Sequence, residues 1–140
     1  MTLDLTGLKK AIGSLETAVY KAGNEDFMER LTPAQQDIIR AGVIQNFEFT
    51  YELCWKFMKR WLGENVGRVY VDGISRRALF RLAAEHRLID HVESWWDYHR
   101  ARNLTAHIYD EEVAEEVFQT ATQFSEKAHL FLMALESRND

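Results

Sequence analysis

The densest set of chemically capable side chains lies in one stretch, Arg100-Ala101-Arg102-Asn103-Leu104-Thr105-Ala106-His107-Ile108-Tyr109-Asp110. An imidazole titrates near neutral pH and can move a proton to or from a ribose 2′-hydroxyl or a leaving oxygen. A guanidinium can stabilise the extra negative charge on a pentacoordinate phosphorus. A carboxamide can bind substrate or fix the tautomer of an imidazole. His107, Arg102 and Asn103 are therefore candidates for phosphodiester chemistry without a metal. In one continuous helix Asn103 and His107 would share a face, and Arg102 and Tyr109 the adjacent one. If the helix ends near Leu104, the short connection can instead turn His107 back towards Arg102. Spacing alone equally suits helix ends and solvated surface.

Other candidates are few. Glu48 and Glu52 are four apart on one helix. They read either as a solvated stripe, with Glu52 pairing to Lys56 one turn on, or as carboxylates that orient a catalytic arginine or histidine. His99 and Arg100, just ahead of Arg102, are supporting polar groups. The five histidines, His86, His91, His99, His107 and His129, do not fall at metal-ligand spacing with cysteines or carboxylates, so no metal site is expected. Cys54 sits on an apolar stripe and reads as a buried structural thiol. Glycine-rich phosphate loops, paired-histidine zinc helices and nucleophile elbows are absent from the sequence.

The elements that must position these groups are helical. Leu8, Ile12, Leu15, Val19 and Ala22 recur at the spacing of one helical face, weakening at Gly23-Asn24. Glu25 to Leu31 either continues that helix or bends away. Thr32-Pro33-Ala34-Gln35 is a start signal, with a capping box and proline at the first position. Ile44, Phe47, Tyr51, Cys54, Met58 and Trp61 then mark a long helix expected to run to Gly63. A loop follows to Gly73, containing the β-prone Val69-Tyr70-Val71. A third long helix is expected over Ile74 to Arg87, with Ala78, Leu79, Leu82 and Ala83 inward. Asp90 and Glu93 suggest a capping box for an aromatic helix bearing Trp95, Trp96 and Tyr98, which should fray near Leu104-Thr105. Asp110 caps a last helix that buries Val113, Val117, Ala121, Phe124, Ala128, Phe131 and Leu135. The expectation is one all-α domain over residues 1–140, an up-and-down bundle of four to five helices.

Composition agrees. The chain has 140 residues with 1 proline and 1 cysteine, which excludes a disulfide-stapled scaffold and favours a reducing compartment, the cytoplasm. No apolar run is long enough for a membrane span, and no secretory signal is expected. The net charge of −5 argues against nucleic-acid binding through bulk electrostatics. That charge is uneven. Residues 68–102 hold seven arginines against five acids, whereas residues 103–140 hold two basic groups against eight acids. The middle stretch is the basic one, and its charge is all arginine, the side chain suited to bidentate phosphate contacts.

Arg102-x-x-x-x-His107-x-Tyr109 resembles the Arg-x4-His-x-Tyr motif of the HEPN superfamily, and more narrowly its HepT-like family of nucleotidyltransferase substrate-binding proteins. Asn103 after the arginine, the run Phe47-Glu48-Phe49-Thr50-Tyr51-Glu52-Leu53, the aromatic Trp95–Tyr98 and Asp110 fit the same pattern, and the resemblance covers essentially the whole chain. It implies a helical bundle that forms a homodimer with two motifs facing one cleft, to which Arg100, Arg76, Arg77 and Arg81 could add positive charge. It further implies a toxin of a toxin–antitoxin pair, a metal-independent endoribonuclease needing no cofactor. Arg102 and His107 would be its catalytic pair, with Asn103 the polar residue beside them. A partner minimal nucleotidyltransferase would neutralise it by placing AMP on Tyr109. The same family also implies an alternative, a non-catalytic substrate-binding subunit of a two-component nucleotidyltransferase.

Overall fold

The start signal at Thr32 forms in full. The Thr32 hydroxyl accepts from the Gln35 N–H at 3.2 Å, and the Gln35 side chain accepts from the Thr32 N–H at 2.9 Å. Two otherwise orphaned donors are thereby satisfied where α3 (Pro33–Asn65) begins. The computed structural model describes residues 2–139. Around α3 it places α1 (Thr6–Gly23), α2 (Glu25–Glu29), α4 (Arg76–Glu85), α5 (Val92–Leu104) and α6 (Glu111–Ser137), with 3-10 turns at Arg68–Tyr70 and Thr105–His107. Every regular element among the described residues is helical. This is the all-α bundle expected, with the one-turn α2 added. α1 and α6 lie along α3, α5 packs on both α6 and α3, and α4 bridges α3 and α5.

The bundle is centred on Phe124 of α6. Its ring meets Phe47 of α3 at 5.3 Å and 81°, Trp95 of α5 at 5.5 Å and 82°, and Tyr98 of α5 at 5.0 Å and 69°. Such edge-to-face pairs place the positive ring edge on a negative ring face, adding to the area each ring buries. Trp95 also meets Phe80 of α4 and Phe131 of α6. These rings are all buried, so one aromatic node ties α3, α4, α5 and α6 together.

Several local expectations are corrected. Gly63 does not stop α3, which continues to Asn65. Gly67, at φ 139°, turns the chain instead, its N–H bonding the Leu62 carbonyl at 3.0 Å. Val69-Tyr70-Val71 forms no strand, because residues 68–70 close a 3-10 turn and only Val71 is buried. α4 starts at Arg76 rather than Ile74, since the Ser75 side chain accepts from the Ala78 N–H. It ends at Glu85, and Arg87 adopts a left-handed φ of 60°. Its inward face includes Phe80, whereas Ala78 and Leu82 are only half-buried. Asp90 does not cap α5. His91 takes that position without a side-chain bond, because the Asp90 carboxylate is drawn to Lys127 of α6 at 3.0 Å and Glu93 to Arg77 of α4 at 3.4 Å. Asn24 separates α1 from α2 by accepting from the Phe27 N–H.

Phe124→Ala removes the ring shared by three helices. It should cost about 3–5 kcal/mol, seen in urea unfolding as a lowered midpoint.

Candidate functional site

Helix periodicity sets the site one residue away from the core. On α3, Phe47 and Tyr51 point to Phe124, so Glu48 and Glu52, each one position on, emerge beside the core on the side of α5. On α5, Tyr98 and Ala101 are buried, and His99 and Arg102 follow them by one position towards α3. Arg102 and the two carboxylates therefore meet. Arg102 Nε lies 3.2 Å from Glu52 Oε1, and Nη1 lies 3.8 Å from Glu48 Oε2. The Nε–H is not aligned on that oxygen as a hydrogen bond, so the contact is an ion pair. Thr105 adds a tie, its single hydroxyl proton shared between Glu48 Oε2 and the Arg102 carbonyl. The expected Glu52–Lys56 pair is not formed. Glu52 Oε2 instead accepts from the Trp55 indole N–H at 3.0 Å.

A second chain of contacts runs through His99. The Tyr51 hydroxyl lies 2.8 Å from His99 Nδ1, and the Asn103 amide lies 3.5 Å from Nε2. Burial pushes the Tyr51 phenol up, so it stays protonated and can donate. A neutral imidazole has one donor and one acceptor nitrogen. Tyr51 donating to Nδ1 leaves the Nε2 proton facing Asn103, which assigns the Asn103 carbonyl towards His99. Burial, then the nearby positive charges of Arg76 and Arg102, hold the His99 imidazole below its ordinary value of 6.5, against the pull of Glu52. Trp96 lies against the same imidazole with ring centres 5.0 Å apart.

The remaining sequence candidates are placed differently. α5 ends at Leu104, and the 3-10 turn carries His107 into solvent. The imidazole that Asn103 reaches is thus His99 and not His107. His107 and Tyr109 have ring centres 6.4 Å apart, and Tyr109 is 85% exposed. Asp110 caps α6, accepting from the N–H groups of Glu112 and Val113. Arg100 stands on the α6 side of α5 and pairs with Asp97, so it does not join Arg102. Arg76 lies over Trp55 and Arg77 over Trp96, while Arg81 is exposed. Cys54 is buried, and burial alone pushes its thiol up. Among the described residues no group of three or more His, Cys, Asp or Glu side chains is placed to hold a metal ion.

Sequence reasoning missed the polar roles of Tyr51, Trp55 and Thr105. Trp55 had a readable signal, since it lies three residues after Glu52 and so on the same helical face. Tyr51 had none, because its apolar spacing marks it as core. The Thr105–Glu48 contact joins residues 57 apart in sequence.

A protein of Haemophilus influenzae described as "Probable ribonuclease HepT" is 34% identical over 140 residues, covering 98% of this chain and 94% of that protein. Residues 3–137 match the family described as "Nucleotidyltransferase substrate binding protein like". The chain belongs to this HepT-like family. The solved structure of HI0074 from Haemophilus influenzae, described as revealing the fold of a substrate-binding domain of a nucleotidyltransferase, has a TM-score of 0.90 at 31% identity. It covers 95% of this chain and 99% of its own. A Thermus thermophilus structure has a TM-score of 0.70 at 26% identity, covering 91% of this chain and 98% of its own. The long α3, the Arg102 helix and the turn into α6 all fall inside the matched region. No described helix is long and apolar enough to cross a membrane.

The depressed His99 value has a definite sign for this family member. The unfolded chain binds that proton more readily than the folded one, so the contribution of neutral His99 is present above pH 6.5 and is lost as the pH falls below it. Melting temperature should therefore fall more steeply with acidification in the wild type than in His99→Gln.

Proposed function

We propose that this family member is a metal-independent endoribonuclease, the toxin of a toxin–antitoxin pair, acting as a homodimer with two motifs across one cleft. The observation that carries this reading is the contrast within the motif. Arg102 is held by Glu48, Glu52 and the Thr105 tie, while His107, five residues on, is exposed. A fixed cation and an accessible imidazole within one motif are the two groups that RNA transesterification needs. His107 takes the proton from a ribose 2′-hydroxyl, whose oxygen attacks the adjacent phosphorus. The 5′-oxygen leaves and takes up a proton, giving a 2′,3′-cyclic phosphate. Arg102 stabilises the added charge on phosphorus through N–H groups not turned to the carboxylates. Asn103, with its carbonyl towards His99, presents its NH₂ group as a donor to a phosphate oxygen. The name carried by the Haemophilus relative supports this reading.

The partner in this proposal is a minimal nucleotidyltransferase acting as antitoxin. It transfers AMP from ATP to the Tyr109 oxygen, with pyrophosphate leaving. Tyr109 is exposed and two residues from His107, so a bulky anionic adduct there would block the cleft and repel RNA phosphate. The alternative, a non-catalytic substrate-binding subunit of a two-component nucleotidyltransferase, is favoured by one observation. Two carboxylates face one guanidinium, which leaves that part of the motif without net positive charge.

Purified protein should cleave labelled RNA in the presence of EDTA and leave 2′,3′-cyclic phosphate ends, and His107→Ala should abolish this. Equal cleavage by both proteins removes His107 from the chemistry, and absence of cleavage in both favours the binding subunit. With ATP and the purified nucleotidyltransferase, intact mass should rise by one or more AMP units in the wild type but not in Tyr109→Phe. An adduct mapped to another residue overturns that role.

A further inference from the structure

We propose that Arg76, seated over the Trp55 ring beside the motif, is a phosphate-binding residue for a nucleotide flanking the one cleaved. The inference rests on the ribonuclease reading and extends its site to residues that the Arg-x4-His-x-Tyr motif does not contain.

Three arginines gather where α4 meets α3 and α5, and two are already engaged. Arg102 faces Glu48 and Glu52. Arg77 pairs with Glu93 at 3.4 Å while lying over Trp96. Arg76 differs. Its guanidinium carbon lies 3.4 Å from the centre of the Trp55 ring, yet among the described residues it makes no ion pair, and its half-buried side chain carries a buried Nε with no hydrogen-bond partner. Desolvation lowers its pKa, with Tyr51 and Glu52 acting in the opposite sense. A partly desolvated guanidinium is retained when an anion satisfies it. Cation–π attraction to the indole holds the guanidinium in place while leaving its N–H donors free for such an anion.

The location identifies that anion. Trp55, which carries Arg76, donates its indole N–H to Glu52 Oε2 at 3.0 Å, and Glu52 Oε1 meets Arg102 Nε at 3.2 Å. One indole and one carboxylate thus connect the two guanidiniums, and both cations act on the same His99 imidazole. With Arg102 balanced by carboxylates, Arg76 is the arginine of this cluster whose charge remains for substrate. A planar, preoriented guanidinium suits a phosphodiester, and an RNA strand bound at Arg102 presents further phosphates alongside. This also reconciles RNA binding with a net charge of −5. The contact is one local cation and not a bulk field.

Binding of a fluorescently labelled single-stranded RNA of mixed sequence, measured over a salt series in the His107→Ala protein, tests this without consuming the probe. Adding Arg76→Gln should weaken binding about tenfold. It should also lower the slope of log affinity against log salt by ~0.7, the single-strand value for one phosphate contact. Arg76→Lys should keep the slope, because the charge stays, while losing part of the affinity with the planar fork. It also guards against a folding defect in the glutamine variant. Arg30→Gln, an exposed arginine after α2, should change neither quantity. Equal affinity and slope with and without Arg76→Gln overturn the assignment and leave the ribonuclease reading standing. Absence of RNA binding in the parent protein overturns both. If Arg76→Gln weakens only binding to the purified nucleotidyltransferase, Arg76 is a protein contact and the proposal fails.

Discussion

Everything at the candidate site depends on the aromatic node around Phe124. That ring receives Phe47 from α3 and both Trp95 and Tyr98 from α5, which fixes the rotation of two helices about their own axes. Because each helix turns about 100° per residue, burying Phe47 and Tyr51 obliges Glu48 and Glu52 to emerge beside the core. Burying Tyr98 and Ala101 does the same for His99 and Arg102. The polar site is the outer edge of the aromatic core and shares its precision. No loop is needed to bring Arg102 to its carboxylates.

The site combines rigid and accessible parts. Arg102 is clamped by two carboxylates and a hydroxyl, and His99 is wedged between Tyr51, Trp96 and Asn103. His107 and Tyr109 stand in solvent on a 3-10 turn and the residues after it. The charged groups held in a fixed place are thus built on helices packed against the core. The imidazole and phenol to which we assign proton exchange and modification lie where another molecule can approach them. Reciprocal positioning of this kind suits a site regulated by covalent change, since the exposed phenol can be altered without disturbing the bundle.

Charge follows the same division. The acidic last helix accounts for most of the net negative charge, and its first-turn Glu111 and Glu112 sit at the favourable end of the α6 dipole. Around the motif the carboxylates and guanidiniums nearly cancel, leaving Arg76 on its indole platform. Total charge is therefore a poor guide to which ligand this surface accepts, because screening confines such contacts to roughly 10 Å.

Local physics made much of the molecule legible in the sequence. Helix periodicity marked the buried faces of α1, α3 and α6, Thr32-Pro33 and Asp110 marked two helix starts, and the motif stretch stood out by residue type. Those features need only neighbours within a turn or two. Some local signals misled. Gly63 offered a stop, but α3 runs on to Asn65 and the chain turns at Gly67 instead. Asp90 could have capped α5, but Lys127, 37 residues away, drew its carboxylate aside. The meeting of Arg102 with Glu48 and Glu52, the Tyr51–His99 contact, and the seating of Arg76 on Trp55 were decided by tertiary structure alone. Each needs two helices held at a particular rotation, and that rotation is set by rings packing across the core.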